Sequence, residues 1–192
     1  MTTDADAAPD GPSDEATATR PQTGRRLFWL TAVIAVVVIA VDQLTKWWAE
    51  STLGDGQTIP LLGDLLGLKL VYNPGAAFGI GEGFTWILAI LAGVVAIGLA
   101  IYAWRVRSGW WALVFGLVLG GAITHFGDRA FRDPGLFQGH VVDFIKYGDW
   151  FIGNIADIAI VGGAILGALL VIFGVKMGRE AESAEAEPEP SE

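Results

Sequence analysis

Long apolar runs separated by polar segments dominate this chain. Four of them cover about residues 27–48, 84–104, 110–126 and 155–175. Each is near the length that a helix needs to cross about 30 Å of hydrocarbon at about 1.5 Å per residue. Although Arg25 and Arg26 precede the first run, it is too long for a signal-peptide core and no small-residue cleavage site follows it. The pattern therefore predicts an all-α membrane bundle of four transmembrane helices.

The segments between these runs differ in length. Residues 105–109 are so few that spans two and three must form a tight helical hairpin. Residues 49–83 and 127–154 are longer, and 57–72 combines Gly and Pro turns with short, partly alternating apolar stretches. This pattern favours a small extracytoplasmic β-sheet and loop region beside the bundle.

Charge is distributed unevenly along the 192 residues. The chain is 53% hydrophobic, only 17% charged, and has a net charge of −9. Eleven of its 21 acidic residues lie in residues 1–24 and 180–192, whose composition predicts disordered acidic tails. We expect the domain organisation to be a tail at 1–24, a four-span domain at 25–178 and a second tail at 179–192. The absence of cysteine excludes disulfides and thiol catalysis, and nothing indicates nucleic-acid binding.

Basic residues predict the orientation of the spans. With the N-terminus inside, seven Lys or Arg residues lie on the inner side and four on the outer side, with Lys46 at the boundary. The positive-inside rule then predicts that both termini are cytoplasmic.

Two aspartates near the fourth run are the strongest candidates for chemistry. Asp157 opens the apolar run and Asp143 precedes it, in what the sequence suggests is a short loop. Because a carboxylate at a membrane boundary is costly, it usually has a function. Two that converge suggest acid/base chemistry, and the alternative is structural pairing with Arg129 or Asp42.

Other polar residues lie at the outer ends of the spans. Asp42 and Lys46 have the four-residue spacing of a helical ion pair. Asn73 begins a loop of small residues, and Asn154 shares a helix face with Asp157. The third span ends with His125, Asp128 and Arg129, and its histidine has no partner at metal-ligand spacing.

Taken together, these residues resemble the lipoprotein signal peptidases, or signal peptidase II. The resemblance covers about residues 27–175 and rests on five blocks in order. They are Asp42-Gln43-Leu44-Thr45-Lys46, Asn73-Pro74-Gly75-Ala76-Ala77-Phe78-Gly79, Gly120-Gly121-Ala122 through Asp128-Arg129, Val141-Val142-Asp143-Phe144, and Asn154-Ile155-Ala156-Asp157.

The resemblance implies a bacterial inner-membrane aspartyl protease with its active site at the extracytoplasmic face. Asp143 and Asp157 would be catalytic, and the substrates would be diacylglyceryl prolipoproteins, cut before the lipidated cysteine. The supporting residues would be Asp42, Lys46, Asn73, His125, Asp128, Arg129 and Asn154. The family implies no metal or cofactor, contact with membrane lipid and inhibition by globomycin, and we expect a monomer.

One block departs from the family pattern, because His125 stands where the family has asparagine and Thr124 where it has glycine. Histidine can donate and accept hydrogen bonds as asparagine does, but it is larger and can become charged. The alternative interpretations are a catalytically inactive relative, a small transporter or proton-relay subunit, and a structural or assembly protein.

Overall fold

The computed structural model describes residues 22–54, 56–75, 81 and 83–178. Its four helices are α1 (Gln22–Thr52), α2 (Thr85–Tyr102), α3 (Gly109–Phe131) and α4 (Ile155–Ile172), and a single 3₁₀ turn, Ala103–Arg105, follows α2. All four helices are long and apolar enough to cross a membrane. The predicted four-helix membrane bundle is therefore confirmed. Nearly all of the two acidic tails lies outside the described residues.

Helix α3 lies at the centre of the bundle and packs against the other three helices. Glycines on two of its faces allow this close approach. A Cβ at Gly120 would lie 2.8 Å from the Ala35 carbonyl oxygen of α1, and one at Gly121 would lie 3.0 Å from the Ala156 carbonyl oxygen of α4. The first distance is shorter than a real Cβ allows and the second is at the limit, so these glycines set the spacing between the helices.

A four-stranded antiparallel sheet covers one end of the bundle. Its strands are β1 (Ile59–Leu62), β2 (Leu66–Asn73), β3 (Val141–Tyr147) and β4 (Phe151–Gly153), paired in that order. The predicted sheet is confirmed. Strands β2 and β3 are distant in sequence, and their pairing brings Val71 opposite Asp143 and Asn73 opposite Val141.

Two local expectations differ from the structure. Asp143 lies within β3, whereas the sequence suggested a short loop. Its neighbours Val141, Val142 and Phe144 are buried, and Val141, Val142 and Asp143 pair with β2. Helix α3 also continues to Phe131, five residues beyond the predicted end of its apolar run. This last part contains the buried polar residues Asp128 and Arg129, so hydropathy alone does not detect it.

Candidate active site

The two candidate aspartates reach one cavity from different elements. Asp143 extends from β3 and Asp157 from the first turn of α4, and the strand β4 connects these elements. Both line a cavity of about 450 Å³ where the sheet meets the bundle. The other polar lining side chains are Asn73, His125 and Arg129. The structure therefore brings together five of the residues that the sequence had singled out.

Asp143 is held by two neutral amides. Asn73 Nδ2 donates to its Oδ2 at 2.9 Å, and Asn154 Nδ2 donates to its Oδ1 at 2.6 Å. The residue is only 3% exposed. Burial raises the pKa of Asp143 to about 6, and the charge of Asp157 adds to this rise, while the two amide hydrogen bonds oppose it. At neutral pH this carboxyl group is therefore much closer to protonation than an ordinary aspartate.

Asp157 has a different environment. It is the third residue of α4 and forms a capping box with Asn154: Asn154 Oδ1 accepts from the Asp157 N–H, and Asp157 Oδ2 accepts from the Asn154 N–H. The other oxygen, Oδ1, lies 3.1 Å from His125 Nε2. The Asp157 side chain is 38% exposed. Asn154 thus contacts both aspartates, and of the two, Asp157 is the more open to the cavity.

Arg129 orders the loop that follows β2. Its guanidinium donates to the carbonyl oxygens of Pro74, at 3.3 Å, and Gly75. In the same loop, Asn73 Oδ1 accepts from the Gly75 N–H at 2.9 Å. These bonds fix the side chain of Asn73 where it can donate to Asp143. Residues 76–80 of the predicted loop lie outside the described residues.

Asp42, Lys46 and Asp128 form a buried ion cluster on α1 and α3. Lys46 Nζ lies 2.7 Å from Asp42 Oδ2 and 2.7 Å from Asp128 Oδ2. The predicted i,i+4 pair is therefore present, but it is extended by Asp128. Although Asp128 is three residues after His125, it faces α1, whereas His125 faces Asp157.

Three further polar residues continue this cluster and were not singled out from the sequence. Arg132 Nε lies 2.9 Å from Asp128 Oδ1, and Arg132 Nη1 lies 2.8 Å from Glu50 Oε1. Gln43 Nε2 donates to Asp128 Oδ1 at 3.0 Å. The four-residue spacing of Asp128 and Arg132 was a visible signal, but it required knowing that α3 continues past Phe126.

The sequence also did not identify the residues that form the apolar wall of the cavity. Side chains from α2 and α4 form most of it: Leu88, Leu91, Ala92, Val95, Ile160 and Val161. Ala122, Val141, Phe151 and Ile152 also contribute. Nothing distinguishes these residues from lipid-facing neighbours in the same runs. Only the packing of the helices shows which of them line the cavity.

Comparison with known proteins identifies the family. The family model described as signal peptidase (SPase) II matches residues 34–173. The chain is 45% identical to the lipoprotein signal peptidase of Rhodococcus jostii, covering 91% of this chain and 87% of the relative. It is 42% identical to that of Mycolicibacterium smegmatis, covering 96% and 78%.

A solved structure agrees with this family. The structure, described as a bacterial membrane enzyme, superposes with a TM-score of 0.67 at 28% identity, covering 79% of this chain and 93% of that one. The family match extends from α1 to the end of α4 and includes both aspartates and the cavity that they line. The chain belongs to the signal peptidase II family.

Proposed function

We propose that this chain removes signal peptides from diacylglyceryl-modified prolipoproteins, cutting before the lipidated cysteine, with Asp143 and Asp157 as its catalytic pair. One observation carries this proposal. Both carboxyl groups line a cavity that also has an apolar wall, formed largely by side chains of α2 and α4. A peptide bond beside a lipid anchor needs such a combination of a polar end and an apolar groove.

The unequal environments of the two aspartates support different roles. Asp143 is buried, and its raised pKa suits the partner that holds the shared proton. Asp157 is more exposed and suits the carboxylate that takes a proton from water. Because the charges of the two carboxyl groups interact, the resting pair shares one proton and titrates as a unit.

The reaction then proceeds in two steps. Water attacks the scissile carbonyl carbon, gives one proton to Asp157, and Asp143 donates its proton to the carbonyl oxygen. When the tetrahedral intermediate collapses, the C–N bond breaks and the leaving amine takes the proton from Asp157. Asp143 recovers its proton from a hydroxyl of the intermediate, which leaves a carboxylic acid product and the pair in its starting state.

Four polar side chains support this chemistry through contacts to the two aspartates or to residues around them: Asn73, Asn154, Arg129 and His125. The two asparagines orient the Asp143 carboxyl group, and Arg129 holds the loop that carries Asn73. His125 contacts Asp157 Oδ1 and takes the position of the family asparagine. Because histidine can donate one hydrogen bond as asparagine does, its presence is compatible with activity.

The groove between α2 and α4 is proposed to hold the acyl chains of the substrate. Its residues are uncharged and open toward the lipid-facing side of the bundle. Globomycin-type inhibitors would occupy the same cavity. Ala92 lies in the wall of the groove, whereas Val94 of the same helix is exposed outside it, so Ala92→Phe and Val94→Phe make a matched pair of variants.

The proposed location is the bacterial inner membrane, with both termini cytoplasmic and the active site at the outer face. Arg25 and Arg26 begin α1, and Arg105 and Arg107 lie in the α2–α3 connection, at the end opposite the sheet. This distribution follows the positive-inside rule. We also propose that 25–178 is a monomeric peptidase domain, that the acidic tails lie outside it, and that no metal or cofactor takes part.

The test is cleavage of a diacylglyceryl prolipoprotein by the purified protein in detergent, without an ion gradient. Mass spectrometry of the products should place the cut directly before the modified cysteine, and the unmodified precursor should be cut at least about tenfold less efficiently. Ala92→Phe should raise KM about tenfold for the lipidated substrate, and Val94→Phe should not. Absence of any cleavage would instead favour the transporter, assembly-protein or inactive-relative readings.

A further inference from the structure

The first turn of α4 has a second cap that comes from another helix. Ala156, the residue before Asp157, is the second residue of α4, so its N–H has no acceptor within the helix. Asp42 Oδ1 of α1 accepts from this N–H at 2.9 Å. The next N–H, that of Asp157, is accepted by Asn154 Oδ1 at 3.1 Å. Two consecutive donors of this turn are therefore held by side chains, one local and one from α1.

The Asp42 carboxylate is itself fixed in direction. Its second oxygen lies 2.7 Å from Lys46 Nζ, and both side chains are completely buried. Gln43 Nε2 donates to the same oxygen at 3.3 Å. Because Lys46 is also held by Asp128, the carboxylate cannot turn away from α4 without breaking a buried ion pair. The cluster thus aims one oxygen at the helix N-terminus, where a negative charge is also favourable.

The position of Asp157 depends on this turn. Its two oxygens must reach the Asn154 N–H and His125 Nε2 together, and a small rotation of the turn would break one of these contacts. Asp42 is not among the residues that line the cavity, and its direct link to this turn is the hydrogen bond from the Ala156 N–H.

We infer that Asp42 is a positioning residue, which holds the Ala156–Asp157 turn against α1 so that Asp157 faces Asp143 across the cavity. Lys46 serves this role by compensating the buried charge. The effect on catalysis rests on the proposed function. The hydrogen bond from the Ala156 N–H to Asp42 does not depend on that function.

The test compares two double variants that both remove the ion pair. Asp42→Asn/Lys46→Met keeps an oxygen that can accept from Ala156 and leaves no unpaired charge on α1. Asp42→Leu/Lys46→Met has nearly the same size but has no acceptor. Both lose the Lys46 contact to Asp128, so the two proteins differ chiefly in the cap.

We expect the Asn/Met protein to keep kcat within about tenfold of the wild type, and the Leu/Met protein to lose about a further 100-fold. The KM of the two double variants should agree within about threefold, because the groove is unchanged. Equal kcat in the two double variants would overturn the inference, and so would a loss of kcat that follows their melting temperatures.

A second measurement separates this inference from the proposed function. Hydrogen exchange of the Ala156 amide should be at least about tenfold faster in the Leu/Met protein than in the Asn/Met protein, as expected for a lost hydrogen bond. This holds whether or not the wild type cleaves prolipoproteins. If the Ala156 amide exchanges at the same rate in both proteins, Asp42 does not cap α4 and the inference is wrong. If the exchange rates differ as expected but the wild type does not cleave prolipoproteins, only the proposed function is wrong.

Discussion

Replacing Asp143 with asparagine should stabilise the protein at neutral pH. The ionised carboxylate is buried with two neutral amides as its hydrogen-bond partners. Its pKa is raised from 3.8 to about 6, chiefly by burial. A carboxyl group whose pKa is higher in the folded state binds more protons there than in the unfolded state, so its ionisation makes stability fall as pH rises from about 4 to about 6.

The size of this effect follows from the pKa shift. Each pKa unit corresponds to about 1.4 kcal/mol, so ionised Asp143 costs about 3 kcal/mol above pH 7. Asparagine has the shape of the protonated carboxyl group, but its Nδ2 would face the donating amide of Asn73 or Asn154. Neither amide is free to reverse, because its oxygen accepts from the N–H of Gly75 or of Asp157. This mismatch costs about 1 kcal/mol at every pH and leaves a net gain of about 2 kcal/mol at neutral pH. Because asparagine does not titrate, the stability of the Asp143→Asn variant relative to the wild type should rise by about 2–3 kcal/mol between pH 4 and pH 7.5.

Reversible unfolding in mixed detergent micelles at the two pH values measures this difference, and Asp64→Asn is the control. Asp64 lies exposed in the turn between β1 and β2, so its replacement should change stability by less than about 0.5 kcal/mol at both pH values. At pH 7.5 the Asp143→Asn protein should melt about 4–8 °C higher than the wild type. A variant less stable than the wild type at pH 7.5, or an advantage that does not change with pH, would refute this reasoning.

Three other predictions concern the surroundings of the pair. His125→Ala should lose about tenfold more activity than His125→Asn, since only the latter can still donate to Asp157; equal rates in the wild type and both variants would make His125 a bystander. Gly153→Ala should lower kcat about 10–100-fold at little cost in stability, because its Cβ would lie 2.9 Å from Asp157 Oδ2 and displace it; unchanged kcat would mean that the carboxylate tolerates displacement. Gly139→Ala should destabilise the protein by about 2–3 kcal/mol, since its Cβ would lie 2.2 Å from a backbone oxygen of α3, whereas Gly135→Ala, with open space, should be nearly neutral; thermal melts of equal midpoint would contradict this.

The sequence predicted the parts of the fold that have a strong local signal. Four apolar runs define four helices, and Asp42 and Lys46 form a pair because their helical spacing alone brings them together. The location of Asp143 on a strand could not be read in this way. Strand β3 exists because it pairs with β2, about 70 residues earlier in the chain, and such non-local pairing leaves little trace in either segment.

In the candidate site, too, the sequence identifies many of the residues but not the contacts between them. The family blocks contain the two aspartates and the asparagines that contact them. They do not show which asparagine contacts which aspartate. That Asn154 contacts both aspartates depends on the pairing of β3 with β4, which brings Asp143 to the start of α4. That Asp42 reaches Ala156 rather than the cavity depends on the packing of α1 against α4. The groove-lining residues of α2 carry no chemical signal, because apolar residues facing substrate and those facing lipid have the same composition.

Single-turnover cleavage of a diacylglyceryl prolipoprotein by Asp143→Asn and Asp157→Asn tests the central claim most directly. Each variant should insert, fold and bind substrate, yet its rate should fall at least about 1,000-fold, because either replacement removes a proton carrier of the pair. Asp64→Asn, measured alongside, should cleave at the rate of the wild type. Substantial turnover by either Asp143→Asn or Asp157→Asn would contradict the assignment of the two aspartates as the catalytic pair.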